Sequence, residues 1–196
     1  MTVGLDLLHN YFMFYRASKY LSVISGCIGF LLIGYAVYLN VPKNQITLER
    51  NLNSEILAAY GEYEEELKGV PTLPALELKS LLKSILLVDV RSLEEREISI
   101  IPGSISKEEF ETRRRADPTF SRDRAIVVYC TIGYRSAIYA QALIKDGIRV
   151  KNLKGGVLAW AAEQLEFKTM SGAPTKKIHV YGKRWNILPE NYEPVW

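Results

Sequence analysis

The residues best suited to chemistry lie in one short segment around Cys130. The apolar run Ala125–Tyr129 has the composition of a buried strand, and Cys130 follows it directly, ahead of a short loop and a predicted helix. The backbone N–H groups of a tight turn and the positive end of a helix dipole both stabilise an anion at such a position. A cysteine in this setting, beside a cation, can ionise with a pKa of roughly 3.5–7.5 instead of ~8.5. We therefore predict that Cys130 is a nucleophilic thiolate and that Arg135 is its cation.

The residues after the cysteine form the predicted substrate-binding loop. Gly133 fits because a turn this tight usually needs a residue that is free to adopt a positive φ. Backbone N–H groups and entrance-shaping side chains are expected from the residues on either side of it, and Ser136 suits the first turn of the helix. The predicted loop comprises Thr131, Ile132, Gly133, Tyr134, Arg135 and Ser136.

The pattern Cys-x-x-Gly-x-Arg-Ser at residues 130–136 resembles the active-site loop of rhodanese-like domains. Further segments resemble the family in order and spacing, over roughly residues 71–170. They are the strand that ends in Asp89-Val90-Arg91, the turn Ile101–Ile105, and the Gly-Gly…Trp segment at residues 155–160. The chain departs from the family at residues 99–100, where Gly-His is common, and at residues 96–97, where an aromatic residue is common.

The resemblance implies a sulfurtransferase without a cofactor. Cys130 would accept a sulfane sulfur as a persulfide and pass it to cyanide, a thiol or a protein cysteine, with thiosulfate as the generic donor. Asp89 and Arg91 would be supporting residues, a hydrogen-bonding pair at the surface rim that holds loops together rather than a catalytic pair.

Two alternatives remain open. Cysteine-dependent phosphatases also combine a thiolate with an arginine, but they place five residues between the two. Here four residues separate Cys130 from Arg135, and a shorter ring of N–H donors suits a single sulfur atom better than a phosphoryl group. The other alternative is a non-catalytic rhodanese-like module, with an inert Cys130, that binds a partner at a membrane.

The composition limits the remaining possibilities. A chain of 196 residues with 48% hydrophobic and 24% charged residues should contain one ordinary folded domain and an additional element. The net charge of +3 is too small to support nucleic-acid binding. Cys27 and Cys130 form no disulfide framework, and the two histidines, His9 and His179, are too far apart in sequence to suggest a metal site.

The additional element is predicted to be a transmembrane helix at residues 20–42, which carry no charged side chain. A helix of this length would be about 34 Å long, and the hydrocarbon core of a bilayer is about 30 Å thick. A cleaved signal peptide has a shorter apolar region, whereas a buried or oligomer-forming helix remains an alternative because serines and glycines dilute the apolar run. Flanking positive charges are balanced, so they do not orient the segment. Thiol chemistry favours a domain that faces the reducing cytosol.

The remaining sequence predicts an α/β domain. Apolar runs that alternate with helical segments indicate a parallel sheet with helices on both faces, whose ligand site lies at the carboxyl ends of the strands. Apolar residues at helical spacing over residues 44–69 predict an amphipathic helix that ends near Gly69. The predicted parts are an N-terminal flank (1–19), the transmembrane helix (20–42), a helical linker (43–70), the rhodanese-like domain (71–170) and an ordered C-terminal extension (171–196). The predicted partners are a membrane, a small sulfur-containing anion and a thiol acceptor, without nucleic acid.

Overall fold

The computed structural model describes residues 43–122 and 124–196, with side chains described from Leu52 onward. The predicted transmembrane segment, residues 20–42, lies outside this part of the chain. Among the described helices, none combines the length and the apolar character needed to cross a bilayer.

The first described element is helix α1 (Lys43–Gly61), which is shorter than the predicted helix over 44–69. Residues 62–69 form turns instead. Glycine is a weak helix former, and the acidic residues that follow Gly61 would lie at the negative end of the helix dipole. Both effects favour ending the helix at Gly61.

The centre of the domain is a five-stranded sheet in which every pairing is parallel. Its strands are β1 (Thr72–Leu73), β2 (Ile85–Asp89), β3 (Ile105–Ser106), β4 (Ala125–Tyr129) and β5 (Val150–Leu153), in the spatial order β1-β5-β4-β2-β3. The predicted parallel sheet is therefore confirmed. Strand β4 lies at its centre, so the residue that follows β4 emerges in the middle of the carboxyl edge.

Helices cover both faces of this sheet, as predicted. They are α2 (Ala75–Leu81), α3 (Leu93–Ile98), α4 (Lys107–Ala116), α5 (Tyr134–Lys145) and α6 (Gly156–Ala162). Successive strand residues point to opposite faces, and they divide accordingly between two buried clusters. Val88 and Val128 pack with residues of α4 and α5, whereas Leu87 and Val127 pack with residues of α1, α2 and α6.

The chain after α6 forms short ordered elements. Strand β6 (Phe167–Lys168) pairs antiparallel with β7 (Pro174–Thr175), and β8 (Lys177–His179) pairs in parallel with β9 (Glu193–Val195). A 3-10 helix, Lys183–Trp185, lies between β8 and β9. Ile178 and Tyr192 are buried in the same cluster as α1, so this extension contributes to the core.

Candidate functional site

Cys130 lies directly after β4, at the carboxyl edge of the sheet, and its residue is only 1% exposed. Gly133 has a φ of +101° and is the N-cap of α5, which confirms the predicted positive φ. Its N–H donates a hydrogen bond of 3.2 Å to the Cys130 Sγ atom. The thiol is therefore enclosed by its own loop and receives a backbone donor from it.

The loop also offers further backbone donors. Five of its amides have no hydrogen-bond partner among the described residues, those of Thr131, Ile132, Tyr134, Arg135 and Ser136. The three from Tyr134 onward are the first N–H groups of α5, which an α-helix cannot satisfy internally. These amides are hydrogen-bond donors that the described part of the chain does not satisfy.

Helix α6 fixes the direction of the loop peptides. The N–H of Val157 donates to the Cys130 carbonyl at 3.0 Å, and the N–H of Leu158 donates to the Thr131 carbonyl at 3.3 Å. Because the N–H and C=O of a trans peptide point in opposite directions, the amides of Thr131 and Ile132 point away from α6. Gly156 makes this packing possible, since a Cβ atom there would lie 2.2 Å from the Cys130 carbonyl oxygen.

Asn152, on β5, supports the loop from behind. Its Nδ2 donates to the Gly133 carbonyl at 2.8 Å, and its Oδ1 accepts from the Ser136 hydroxyl at 2.7 Å. Its Nδ2 also donates to the hydroxyl of Tyr60, on α1, at 3.4 Å. The buried amide side chain thus connects the loop to two other elements.

Arg135 lies near Cys130, and it also forms an ion pair with a carboxylate. Its Nη1 and Nη2 atoms donate to the two carboxylate oxygens of Glu95, on α3, at 2.8 and 2.7 Å. Burial lowers the pKa of Arg135, but the hydrogen bonds with Glu95 and the proximity of Cys130 outweigh this effect and raise it. The sequence predicted the cation, whereas its acidic partner was not predicted.

Asp89 and Arg91 form a pair that is fully buried, and not at the surface rim as predicted. The Arg91 Nη2 atom lies 2.8 Å from Asp89 Oδ2 and also donates to the Ser99 carbonyl at 2.6 Å. The pair therefore ties the end of β2 to the chain that follows α3. The pair makes no hydrogen bond to the Cys130 thiol in the described part of the chain, and its supporting role stays a prediction.

Tyr129 anchors the residue immediately before the cysteine. Its hydroxyl accepts a hydrogen bond from the Ile101 N–H at 3.1 Å and lies 2.9 Å from the Ser104 hydroxyl. Burial, followed by the nearby Asp89 charge, raises the pKa of this phenol. A neutral, hydrogen-bonded side chain thus holds β4 against the turn at residues 101–104.

The flanks of the domain shape the mouth of the site. The ring of Tyr181, in the C-terminal extension, lies 4.8 Å from the Arg135 guanidinium carbon. Tyr134, one of the residues predicted to shape the entrance, has its ring centroid 4.6 Å from that of Tyr63 and donates to Glu66 at 2.7 Å. The entrance is therefore built partly by residues outside the alternating α/β region.

Several of these residues were not found by sequence reasoning, namely Tyr60, Glu95, Asn152 and Tyr181. One signal was available for Glu95, because Ser92-x-x-Glu95 has the pattern of a capping box. The box is present: the Ser92 N–H donates to the Glu95 carboxylate, and the Glu95 N–H donates to the Ser92 hydroxyl. The pattern predicts the cap, but it does not reveal Arg135 as a second partner.

The site has no features of a metal centre in the described part of the chain, where no three His, Cys, Asp or Glu side chains come together as ligands. The described loop offers a thiol that accepts one backbone N–H, together with amides that have no partner among the described residues.

The sequence around this site is similar to those of known proteins. The Rhodanese-like domain family matches residues 74–163. A protein named sulfurtransferase from Allochromatium vinosum is 33% identical over 91 residues, which cover 46% of this chain and 84% of that protein.

Among solved structures, two similar chains are a thiosulfate sulfurtransferase from Pseudomonas aeruginosa and a rhodanese-like domain protein from Staphylococcus aureus. The first is 26% identical with a TM-score of 0.49, over 60% of this chain and 24% of that one. The second is 31% identical with a TM-score of 0.42, over 51% of this chain and all of that one (100%). The identity with a relative that is covered over most of its length, together with the family match across the thiol loop, shows that this chain belongs to the rhodanese-like family.

Proposed function

We propose that the chain is a sulfurtransferase that carries a sulfane sulfur on Cys130 as a persulfide. The observation that carries this proposal is the loop itself, in which the Gly133 N–H donates to Sγ and further amides have no partner among the described residues. A persulfide places its negative charge on a terminal sulfur about 2 Å beyond Sγ. Free amides around the thiol are suited to hold that anion.

The transfer is a displacement at sulfur. The Cys130 thiolate attacks the outer sulfur of thiosulfate, a new S–S bond forms, and the original S–S bond breaks as sulfite leaves with its electron pair. In the second half-reaction, an acceptor thiolate or cyanide attacks the terminal sulfur, and Cys130 leaves as a thiolate. Neither step requires another oxidant or reductant.

Mass spectrometry of the full chain after treatment with a sulfur donor tests this proposal. We expect Cys130 to gain the mass of one sulfur atom and to lose it when a thiol or cyanide is added. Cys130→Ser should give no such adduct at this position, whereas Cys27→Ser, which removes the other cysteine, should retain it. A chain that gains no sulfur on Cys130 from thiosulfate or from an organic persulfide is not a sulfurtransferase of this type.

We further propose that residues 20–42 anchor the chain in a membrane and that the domain faces a reducing compartment. The support is the uncharged sequence of this segment together with the need of a persulfide carrier for reduced thiol acceptors. Alkaline carbonate extraction tests the anchor, and protease treatment of intact vesicles that contain the chain with a C-terminal tag tests the orientation. Extraction of the chain by alkaline carbonate would contradict the anchor, and protection of the tag in cytosol-facing-out vesicles would contradict the orientation.

A further inference from the structure

We propose that Glu95 sets the class of sulfur donor, and that it makes the site select organic persulfides over thiosulfate. This inference rests on the proposed function and specifies the substrate of the same loop. Glu95 contacts Arg135 and not the reacting sulfur, so it acts as a positioning residue.

The carboxylate of Glu95 is held in place from several directions. Its side chain is 4% exposed, and its two oxygens accept from Arg135 at 2.7 and 2.8 Å. The same oxygens accept from the Thr131 hydroxyl at 3.2 Å and from the Ser92 N–H at 3.0 Å. A carboxylate with these partners is not free to swing away when a substrate enters.

This pairing changes what Arg135 can offer to a substrate. Both terminal nitrogens of the guanidinium donate to Glu95, and Nη2 also donates to Thr131. The Nη1–Nη2 edge, one of the two guanidinium edges that can bind an oxyanion, is therefore occupied, and the positive charge is offset by a negative charge at hydrogen-bond distance. The centroid of the Tyr181 ring lies 4.8 Å from the carbon of the same guanidinium, on a side chain that is 34% exposed.

Thiosulfate and an organic persulfide make different demands on such a loop. Thiosulfate is a dianion whose sulfonate oxygens, on the sulfur that leaves as sulfite, are bound more strongly by a cation that is not already paired. A persulfide with a neutral organic group carries its charge on the transferred sulfur, which the loop amides can bind. With this donor the Cys130 thiolate attacks the outer sulfur, the S–S bond of the donor breaks, and the donor leaves as a thiolate with the electron pair of that bond, which then takes a proton from solvent.

The test compares two donors with the wild-type chain and the variant Glu95→Gln. The donors are thiosulfate and 2-hydroxyethyl persulfide, and the readout is kcat/KM for sulfur loading of Cys130. Glutamine retains much of the hydrogen bonding but removes the negative charge. We expect Glu95→Gln to raise kcat/KM for thiosulfate by about tenfold and to change the value for the persulfide by less than about threefold.

Two further variants separate charge from structure. Glu97→Gln removes a carboxylate from the exposed side of the same helix and should leave the ratio of the two donors unchanged. Glu95→Asp keeps the charge and should keep the low rate with thiosulfate. The gain of Glu95→Gln with thiosulfate should also diminish at high ionic strength, because salt screens the interaction of the dianion with the released cation.

The outcomes are distinguishable. If Glu95→Gln alters both donors by the same factor, or if Glu97→Gln changes their ratio equally, Glu95 does not determine the donor class and the inference is wrong. A wild-type chain that prefers thiosulfate contradicts it as well. If neither donor loads Cys130 in any variant, the proposed function itself fails, which is a different result from a failed preference.

Discussion

At the scale of single residues, the loop after Cys130 depends on Asn152, a buried polar residue that hydrogen-bonds the loop but not the thiol. Its amide pairs a loop carbonyl, that of Gly133, with the hydroxyl of Ser136, and it is completely buried. A buried hydrogen-bonding group that loses its partner bears the full cost of its desolvation. The geometry of the loop is therefore coupled to the stability of the domain at this residue.

We expect Asn152→Ala to lower the free energy of unfolding by about 1–3 kcal/mol, because two loop groups lose their buried partner. Sulfur loading of Cys130 should slow as well, since the loop amides lose their fixed direction. Denaturant unfolding and loading rates measure the two effects. Asn191→Ala, which removes an exposed hydrogen bond to Gln164, is the control and should change stability by less than about 0.5 kcal/mol. Equal effects of the two substitutions would contradict this role of Asn152.

The ion pair between Glu95 and Arg135 predicts a pH dependence of stability. Burial raises the pKa of Glu95, but its hydrogen bonds with Arg135 and the Ser92 N–H outweigh burial and lower the pKa below its ordinary value of 4.5. A carboxyl whose pKa is lower in the folded state stabilises the fold above its unfolded pKa, and this contribution is lost as the pH falls through the folded pKa.

The wild-type chain should therefore lose part of its stability advantage over Glu95→Gln as the pH falls below 4.5. Urea unfolding of both proteins over a pH series measures the difference. Glu97→Gln leaves this ion pair intact, so the pair should contribute the same pH dependence to its free energy of unfolding as in the wild type. A difference between wild type and Glu95→Gln that stays constant from neutral to acid pH would show that the pair contributes no linked proton.

The residue types in the loop, and the positive φ of Gly133, could be predicted from the sequence because they are local properties of a strand, a tight turn and a helix start. The partner of Arg135 could not. Glu95 lies 40 residues before it in the chain, and only the folded sheet brings α3 beside the loop. The burial of Asp89 and Arg91 was also not predicted, because charged residues at the end of a strand are usually exposed to solvent.

At the scale of elements, the start of α6 acts as a clamp on the thiol loop. The N–H groups of its second and third residues donate to the carbonyls of Cys130 and Thr131. Its first residue, Gly156, lies so close to these carbonyls that a side chain there would collide with them. The strands were predictable because continuous apolar runs indicate strands that are covered on both faces. The edge strands β1 and β3 could not be predicted, since a strand of two residues has no detectable periodicity. The contact between α6 and the loop could not be predicted either, because it joins residues that are far apart in sequence.

Substitution of two glycines should separate backbone strain from steric conflict. Gly156 has a φ of +53°, and a Cβ there would lie 2.2 Å from a backbone oxygen, whereas Gly103 has a φ of +81° with nothing within 4 Å. We expect Gly156→Ala to lower the free energy of unfolding by about 2–4 kcal/mol and Gly103→Ala by about 1 kcal/mol, because only the first combines strain with overpacking. Sulfur loading should fall in Gly156→Ala alone. Similar unfolding energies and loading rates for the two variants would contradict the clamp.

At the scale of the whole described chain, the family match at residues 74–163 is smaller than the unit that shares a core. Residues on both sides of it are buried in the same cluster, among them Ile56 and Tyr60 before it and Ile178 and Tyr192 after it. The Tyr192 hydroxyl also donates to the Leu165 carbonyl at 2.9 Å. Sequence periodicity suggested an amphipathic helix before the domain, but it could not distinguish a spacer from a part of the core, because amphipathicity does not identify the surface that a helix covers.

Two neighbouring residues of α1 test whether this helix belongs to the folding unit. Ile56 is 1% exposed and Leu57 is 47% exposed. We expect Ile56→Ala to lower the free energy of unfolding of the full chain by about 2–5 kcal/mol, because it opens a cavity, and Leu57→Ala to lower it by less than about 1 kcal/mol. Ile56 also lies close to Gly155, since a Cβ on that glycine would lie 2.8 Å from Ile56 Cγ2. Ile56→Ala should therefore slow sulfur loading as well, whereas equal and small effects of both substitutions would mean that α1 is a spacer and that the thiol loop is complete without it.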